Sequence, residues 1–203
     1  MEIIILGAGY AAIFAAANIC RHTGIKVTLV DKNPYHQLLQ QIHTVAAGIK
    51  KPEDITFSIK ELFHDELTFV QGPVQSMDLI NKNVYIDKVG NDDSAKIKYD
   101  YLVIALGSSN YYYDISGAHH FRSVSDALKL NKAFDSLDSG STITICGCGA
   151  TGASLAGALT DSNDIDRRIK IKIVEAQNNI LPGWDKRNIS IVFLMNYNSN
   201  III

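Results

Sequence analysis

The junction that most constrains this fold is the passage from the β-branched start of the chain into Gly7-Ala8-Gly9-Tyr10-Ala11-Ala12 and then an alanine-rich run. Met1 to Leu6 reads as a buried strand, the glycines as a tight turn, and Tyr10 to His22 as a helix stopped by Thr23-Gly24. Lys26 to Val30 is a second β-branched strand, ending at Asp31. Two strands joined by a helix make a βαβ unit of about 30 residues. Each small residue of the G-x-G-x-x-A pattern has a physical task. Gly7 permits the turn, Gly9 lets the backbone come against a pyrophosphate, and Ala12 lets the helix lie close to its strand. The outward N–H groups and positive end of the helix hold phosphates. Asp31, 24 positions after Gly7, can accept hydrogen bonds from a ribose diol. The combination points to a dinucleotide site.

A rival reading of the same stretch fails on detail. Ile3 to Cys20 carries no charge, a length that hydropathy alone reads as a membrane span or a signal peptide. Glu2 stands where a signal peptide needs a cation, and Gly7 and Gly9 cut the run in two.

The pattern then returns. Gly147-Cys148-Gly149-Ala150-Thr151-Gly152 follows a strand, Thr142 to Cys146, and precedes a helix, Thr151 to Leu159. Glu175 ends the next strand, Ile171 to Glu175, 28 positions after Gly147. An acid at a strand end repels a 2′-phosphate and accepts from a free 2′-hydroxyl, so NADH is favoured over NADPH. Two such fingerprints suggest an enzyme that passes a hydride between two cofactors, one of them a flavin.

Between the fingerprints, residues 35 to 48 read as a loop and a short helix, and Pro52-Glu53-Asp54 opens a helix reaching about Phe63. Leu67 to Gln71 is a strand, and Val74 to Tyr101 an antiparallel meander, with a polar turn at Gly90 to Ser94, expected to lie on the main sheet. Tyr101 to Ala105 is a core strand, and Ser123 to Ser136 a helix with Ser125 as its N-cap. The expected fold class is α/β. It is a doubly wound Rossmann-type parallel sheet with a β-meander (residues 1–117), followed by the incomplete start of a second Rossmann-type domain (residues 118–203).

Composition narrows the classes. In 203 residues, 47% are apolar and 20% charged, and 19 Lys+Arg against 21 Asp+Glu leave a net charge of −2. This excludes a disordered chain and a polycationic nucleic-acid binder. Three cysteines cannot build the framework of a secreted fold, so the expected location is the cytoplasm. Cys146 and Cys148 lack the further ligands of a tetrahedral metal set and lack C-x-x-C spacing. No metal site and no catalytic residue are assigned. His64, His119 and His120 read as surface or structural, and Tyr111 to Tyr113 as packing at the domain junction.

Further motifs extend the pattern: Asp31-Lys32-Asn33-Pro34-Tyr35-His36 with Val45-Ala46-Ala47-Gly48, then Tyr99-Asp100-Tyr101-Leu102-Val103-Ile104-Ala105-Leu106-Gly107-Ser108, and Ile180-Leu181-Pro182 after Glu175. With both fingerprints, these resemble FAD-dependent pyridine nucleotide-disulfide oxidoreductases and, among them, type II NADH dehydrogenases, single-subunit NADH:quinone oxidoreductases. The resemblance runs from Met1 to about Ser190. It implies an FAD site made of Gly7, Ala8, Gly9, Tyr10, Ala11, Ala12, Asp31, Lys32, His36, Val74 (through its backbone, at adenine), Ala105 and Gly107. It implies an NADH site made of Gly147, Gly149, Thr151, Gly152 and Glu175. Hydride transfer from NADH to flavin and then reduction of a quinone would follow. Homodimers and peripheral membrane association also belong to the resemblance, with the membrane segment absent here.

Three departures stand out. Ser154 replaces a glutamate usual in that family, Gln40-Gln41 replaces a common Pro-Leu, and the chain stops where the family would complete both domains. Ile191 to Ile203 continues no period, as out-of-frame translation would, so the expectation is the N-terminal half of a disrupted gene, with impaired activity. The rival functions are a sulfide:quinone oxidoreductase-like flavoprotein and a non-catalytic dinucleotide-binding module.

Overall fold

Strand β1 (Glu2–Leu6) buries side chains on both of its faces. Ile3 and Ile5 enter one apolar cluster, Ile4 and Leu6 another, the period-2 distribution of a strand covered on both sides. The computed structural model describes residues 1–87, 94–108, 115–162, 169–177, 179–185 and 201–202. Two units are formed: Met1–Gln37 with Thr56–Tyr113, and Leu38–Ile55 with Asp114–Ile203.

In chain order β1 is followed by α1 (Tyr10–Ile19), β2 (Lys26–Asp31), β3 (Tyr35–Gln37), α2 (Ile42–Ala46), β4 (Thr56–Ser58), α3 (Ile59–Phe63) and β5 (Thr68–Gln71). Then come β6 (Val74–Asp78), β7 (Asn83–Asp87), β8 (Ser94–Lys98) and β9 (Tyr101–Ile104). The main sheet of the first unit runs β5-β2-β1-β9, all parallel. Ala12 and Ala16 of α1 are fully buried against Ile3, Ile5, Val27 and Leu29, because methyl-sized side chains let the helix lie close to the sheet. On the other face, Val84 and Ile86 of the antiparallel β6-β7-β8 layer, with Tyr99 just after β8, cover Ile4, Leu6 and Val30, as the alternation of the meander predicts.

The second unit contains α4 (Val124–Asp135), β10 (Thr142–Cys146), α5 (Ala150–Asp161), β11 (Lys170–Val174) and β12 (Ile201–Ile202), with parallel strand order β10-β11-β12. Ile145, Ile171 and Ile173 pack with Leu155, Ala156 and Leu159 of α5 and with Val124, Ala127 and Leu130 of α4. The α/β class, the parallel Rossmann-type sheet, the meander and the second βαβ module are all present.

Four expectations need correction. The helix from Pro52 to Phe63 is instead a 3-10 turn (Pro52–Asp54), strand β4 and the short α3. Ile55, Ile59 and Phe63 have helical spacing, but Ile55 is buried in the second unit's core and the other two in the first unit's. The segment between them is drawn out as a strand against Tyr35–Gln37. The cap of α4 is Ser123 rather than Ser125: the Ser123 hydroxyl accepts from the Asp126 N–H at 3.1 Å and donates to Asp126 Oδ2 at 2.8 Å. Helix α1 ends at Ile19 instead of His22. The tail does contain a strand, since Ile201–Ile202 pair in parallel with Ile171 and Lys172.

The division of the chain also differs from a single cut near Gly117. Leu38–Ile55 joins the second unit because Ile42, Val45, Ala46 and Ala47 bury there, with Asn131 Nδ2 donating to Ala46 O (3.2 Å) and Ser162 Oγ to Ala47 O (2.6 Å). The expected tyrosine cluster 111–113 and most of the polar turn 90–94 lie outside the described residues.

Candidate dinucleotide sites

Both glycine turns leave the carboxyl ends of parallel strands, where open α/β sheets take ligands. In the first unit the chain leaves β1 through α1 to β2 on one side, while β9, reached later from β8, pairs on the other, so the strand order reverses at β1 and a crevice opens at Gly7. The turn is held at three main-chain atoms. Gly7 N–H donates to Val30 O (2.7 Å), Ala8 N–H donates to Asp31 Oδ2 (2.7 Å), and Ala8 O accepts from His36 Nδ1 (2.8 Å). Asp31 Oδ1 accepts from Asn33 N–H at 2.8 Å, so each carboxylate oxygen holds one N–H and keeps capacity for another donor.

The second unit repeats this geometry. Gly147 N–H donates to Val174 O (2.7 Å), Cys148 N–H to Glu175 Oε2 (2.7 Å), and Gln177 N–H to Glu175 Oε1 (3.1 Å). Cys148 O accepts from Leu181 N–H at 2.8 Å. The N–H of Cys148, and after it that of Gln177, hold the Glu175 carboxyl below its ordinary range, so it is an anion at neutral pH.

Gly9 and Gly149 are the N-cap residues of α1 and α5, and neither helix has a side-chain cap or an acid in its first turn among the described residues. Their first-turn N–H groups face an opening suited to an anion. The glycines show whether that opening has another cause. Gly7 (φ +99°) would place a Cβ 2.3 Å from Ala105 O, and Gly152 would place one 2.0 Å from Gly147 O, so packing requires both. Gly9 (φ −75°) and Gly149 (φ −71°) have backbones that any residue adopts, and a Cβ on either would meet nothing within 4 Å. The protein's own packing leaves their bareness unexplained. It keeps open the space before an uncapped helix that a pyrophosphate would fill, so the residues present fit the dinucleotides the fingerprints imply.

The family model described as "Pyridine nucleotide-disulphide oxidoreductase" matches residues 1–196. The chain belongs to this family.

Among curated members, the chain is 26% identical over 193 residues to the NADH dehydrogenase-like protein YutJ of Bacillus subtilis, covering 92% of this chain and 52% of that protein. It is 27% identical over 212 residues to a type II NADH:quinone oxidoreductase of Staphylococcus aureus, covering 91% and 51%. The chain thus spans about half the length of the curated relatives it matches. In fold it is similar to NDH2 of Plasmodium falciparum in complex with NADH (TM-score 0.85, 23% identity, 98% of this chain and 46% of that one). It is also similar in fold to the sulfide:quinone oxidoreductase of Aquifex aeolicus (0.77, 20%, 99% and 50%).

The remaining expected residues of this oxidoreductase-family chain fall around the two turns. Tyr10, Ala11 and Ala12 form the first turn of α1, with Ala12 fully buried. Ala105 N–H donates to Leu6 O (2.8 Å), which carries the strand's end past Gly7, and Gly107 follows with φ +78°. Gly72 N–H donates to Asp31 O (2.9 Å), which brings the start of β6 at Val74 beside the acid. Lys32 is exposed, as are Thr151 and Ser154 on α5. Cys148 is buried, and burial, reinforced by Glu175, pushes its thiol up. No helix among the described residues is long and apolar enough to cross a membrane.

Sequence reasoning gave Leu181 no role. It is 2% exposed, has φ +48°, and supplies the N–H that holds Cys148 O. The signals were the Ile180-Leu181-Pro182 motif, which carries part of the resemblance, and the Pro182-Gly183 turn chemistry beside it.

Proposed function

We propose that the chain is the dinucleotide-binding half of an FAD-dependent NADH:quinone oxidoreductase, with the first unit holding FAD and the second NADH. The carrying observation is the duplicated turn, in which the residue after the first glycine donates its N–H at 2.7 Å to a strand-end acid in both units. The names of the curated relatives support the same reading. When bound, FAD supplies a centre that takes a hydride from NADH and hands electrons on to a quinone.

The chain's own residues bind and orient. The N-termini of α1 and α5 meet pyrophosphates, which Gly9 and Gly149 allow to come close. Asp31 and Glu175 accept from ribose hydroxyls, and the charge on Glu175 disfavours a 2′-phosphate. Ala105 and Gly107 would line the flavin site and Val74 would offer its main chain to adenine, with Lys32 beside Asp31 and Thr151 in the first turn of α5 completing the two sites. A quinone acceptor puts the site of action at the inner face of the cell membrane.

The test is the visible spectrum of the purified chain under anaerobic conditions, before and after NADH. The expected result is a flavin band that bleaches on addition of NADH. Folded protein without flavin would overturn the reading, and a flavin band indifferent to NADH would remove its second half.

A further inference from the structure

We infer that His36 is the positioning residue of the first dinucleotide turn, holding the Ala8 carbonyl on one side of Gly9 and the Tyr10 ring on the other rather than meeting the cofactor itself. This rests on the reading of that turn as an FAD site. Ala8 is gripped from two directions: Asp31 Oδ2 takes its N–H at 2.7 Å, and His36 Nδ1 reaches its C=O at 2.8 Å. A carbonyl can only accept, so Nδ1 carries the proton. The same ring meets Tyr10 edge-on, with centroids 4.8 Å apart and planes at 90°. Ala8 and Tyr10 are the two neighbours of Gly9, where the ligand must approach most closely.

The ring is 7% exposed, and β3, paired with β4 in register His36↔Phe57, fixes its place. Buried in this way, the imidazole spends its donor on the turn. The second unit shows that the grip belongs to the turn rather than to one loop. There, Cys148 N–H goes to Glu175, and Cys148 C=O is held by Leu181 N–H at 2.8 Å. His36 lies five positions after its strand-end acid, and Leu181 six after its own. One unit makes the contact with a side chain and the other with a main-chain amide borne by a buried leucine at φ +48°, a strained backbone of the kind found at ligand clamps. Only the first grip can be removed by a side-chain substitution.

The experiment uses the full chain and H36F, H36N and H36Q. The amide of Asn sits as far from the backbone as Nδ1, whereas that of Gln reaches the Nε2 position. FAD affinity by fluorescence quenching, NADH affinity, and amide hydrogen exchange over residues 7–12 are measured. The expected result is that H36F and H36Q bind FAD about tenfold more weakly and exchange the turn amides faster. H36N should restore both, with NADH affinity unchanged throughout. Wild-type-like FAD affinity and exchange in H36F would overturn the inference, as would equal loss of FAD and NADH binding in all three variants. If the wild-type chain takes up no FAD, the cofactor reading falls and exchange alone decides. Faster exchange in H36F, reversed in H36N, upholds the positioning role, and unchanged exchange ends it.

Discussion

The main-chain N–H of Cys148 donates to Glu175 Oε2 at 2.7 Å, the distance at which Ala8 donates to Asp31 Oδ2. The two acids differ in length by one methylene, and the surroundings of the turns differ more. Strand β9 flanks β1, so a Cβ on Gly7 would strike Ala105 O. Among the described residues β10 pairs only with β11, and a Cβ on Gly147 would meet nothing within 4 Å. The turn and its acid therefore form from the βαβ unit alone, whatever flanks the sheet.

Removing the Glu175 charge with E175Q should narrow the preference for NADH over NADPH about fivefold, measured as a ratio of affinities. It should also change the response to acid. A carboxyl held low in the folded state contributes stability above its unfolded value near 4.5 and loses it as the pH falls through the folded value. The stability gap between wild type and E175Q, followed by chemical denaturation, should be constant from pH 6 to 8 and close below about pH 4.5. A gap that widens toward acid would contradict this assignment.

Four of the five turn glycines should separate into two classes. G7A and G152A force a Cβ against main-chain oxygens and should cost about 1–3 kcal/mol in thermal or chemical melts. G9A and G149A meet open space and should stay within about 0.5 kcal/mol of wild type. Their effect should fall on dinucleotide affinity, lowered about tenfold or more at the turn that carries the change. Loss of stability in G9A would show that the glycine serves the fold.

Thiol reagents should distinguish the three cysteines. Cys146 is exposed, whereas burial pushes the thiols of Cys148 and Cys20 up, with Glu175 and Glu66 respectively adding to the shift. Mass spectrometry after brief alkylation at pH 8 should find Cys146 modified first. Cys148 reacting ahead of it would mean that the second turn opens.

Strand β10 presents Thr142, Thr144 and Cys146 as exposed side chains on an uncharged strand, with β11 its only strand partner among the described residues. An edge of this kind invites pairing with other chains, and natural edges discourage it with lysine. T144K should therefore reduce aggregation, read by light scattering, and leave the melting midpoint within about 2 °C.

What the sequence determined by itself is local. The first two strands, the turn between them and the acid that closes the unit lie within Met1 to Asp31, so residue type and spacing sufficed, and the same holds from Thr142 to Glu175. The cap of α4 was misplaced by two residues because serines at 123 and 125 are equivalent on paper, and only the backbone decides which one reaches the Asp126 N–H. The three-dimensional structure alone decided the rest. Ile55, Ile59 and Phe63 share helical spacing but bury in two different cores, which no period along the chain can reveal. The grips of His36 on Ala8 and of Leu181 on Cys148 span 28 and 33 residues, and Gly9 differs from Gly7 in its backbone angle and in what lies around it. Such relations depend on which distant atoms meet once the sheets have closed, and a local pattern carries no record of that.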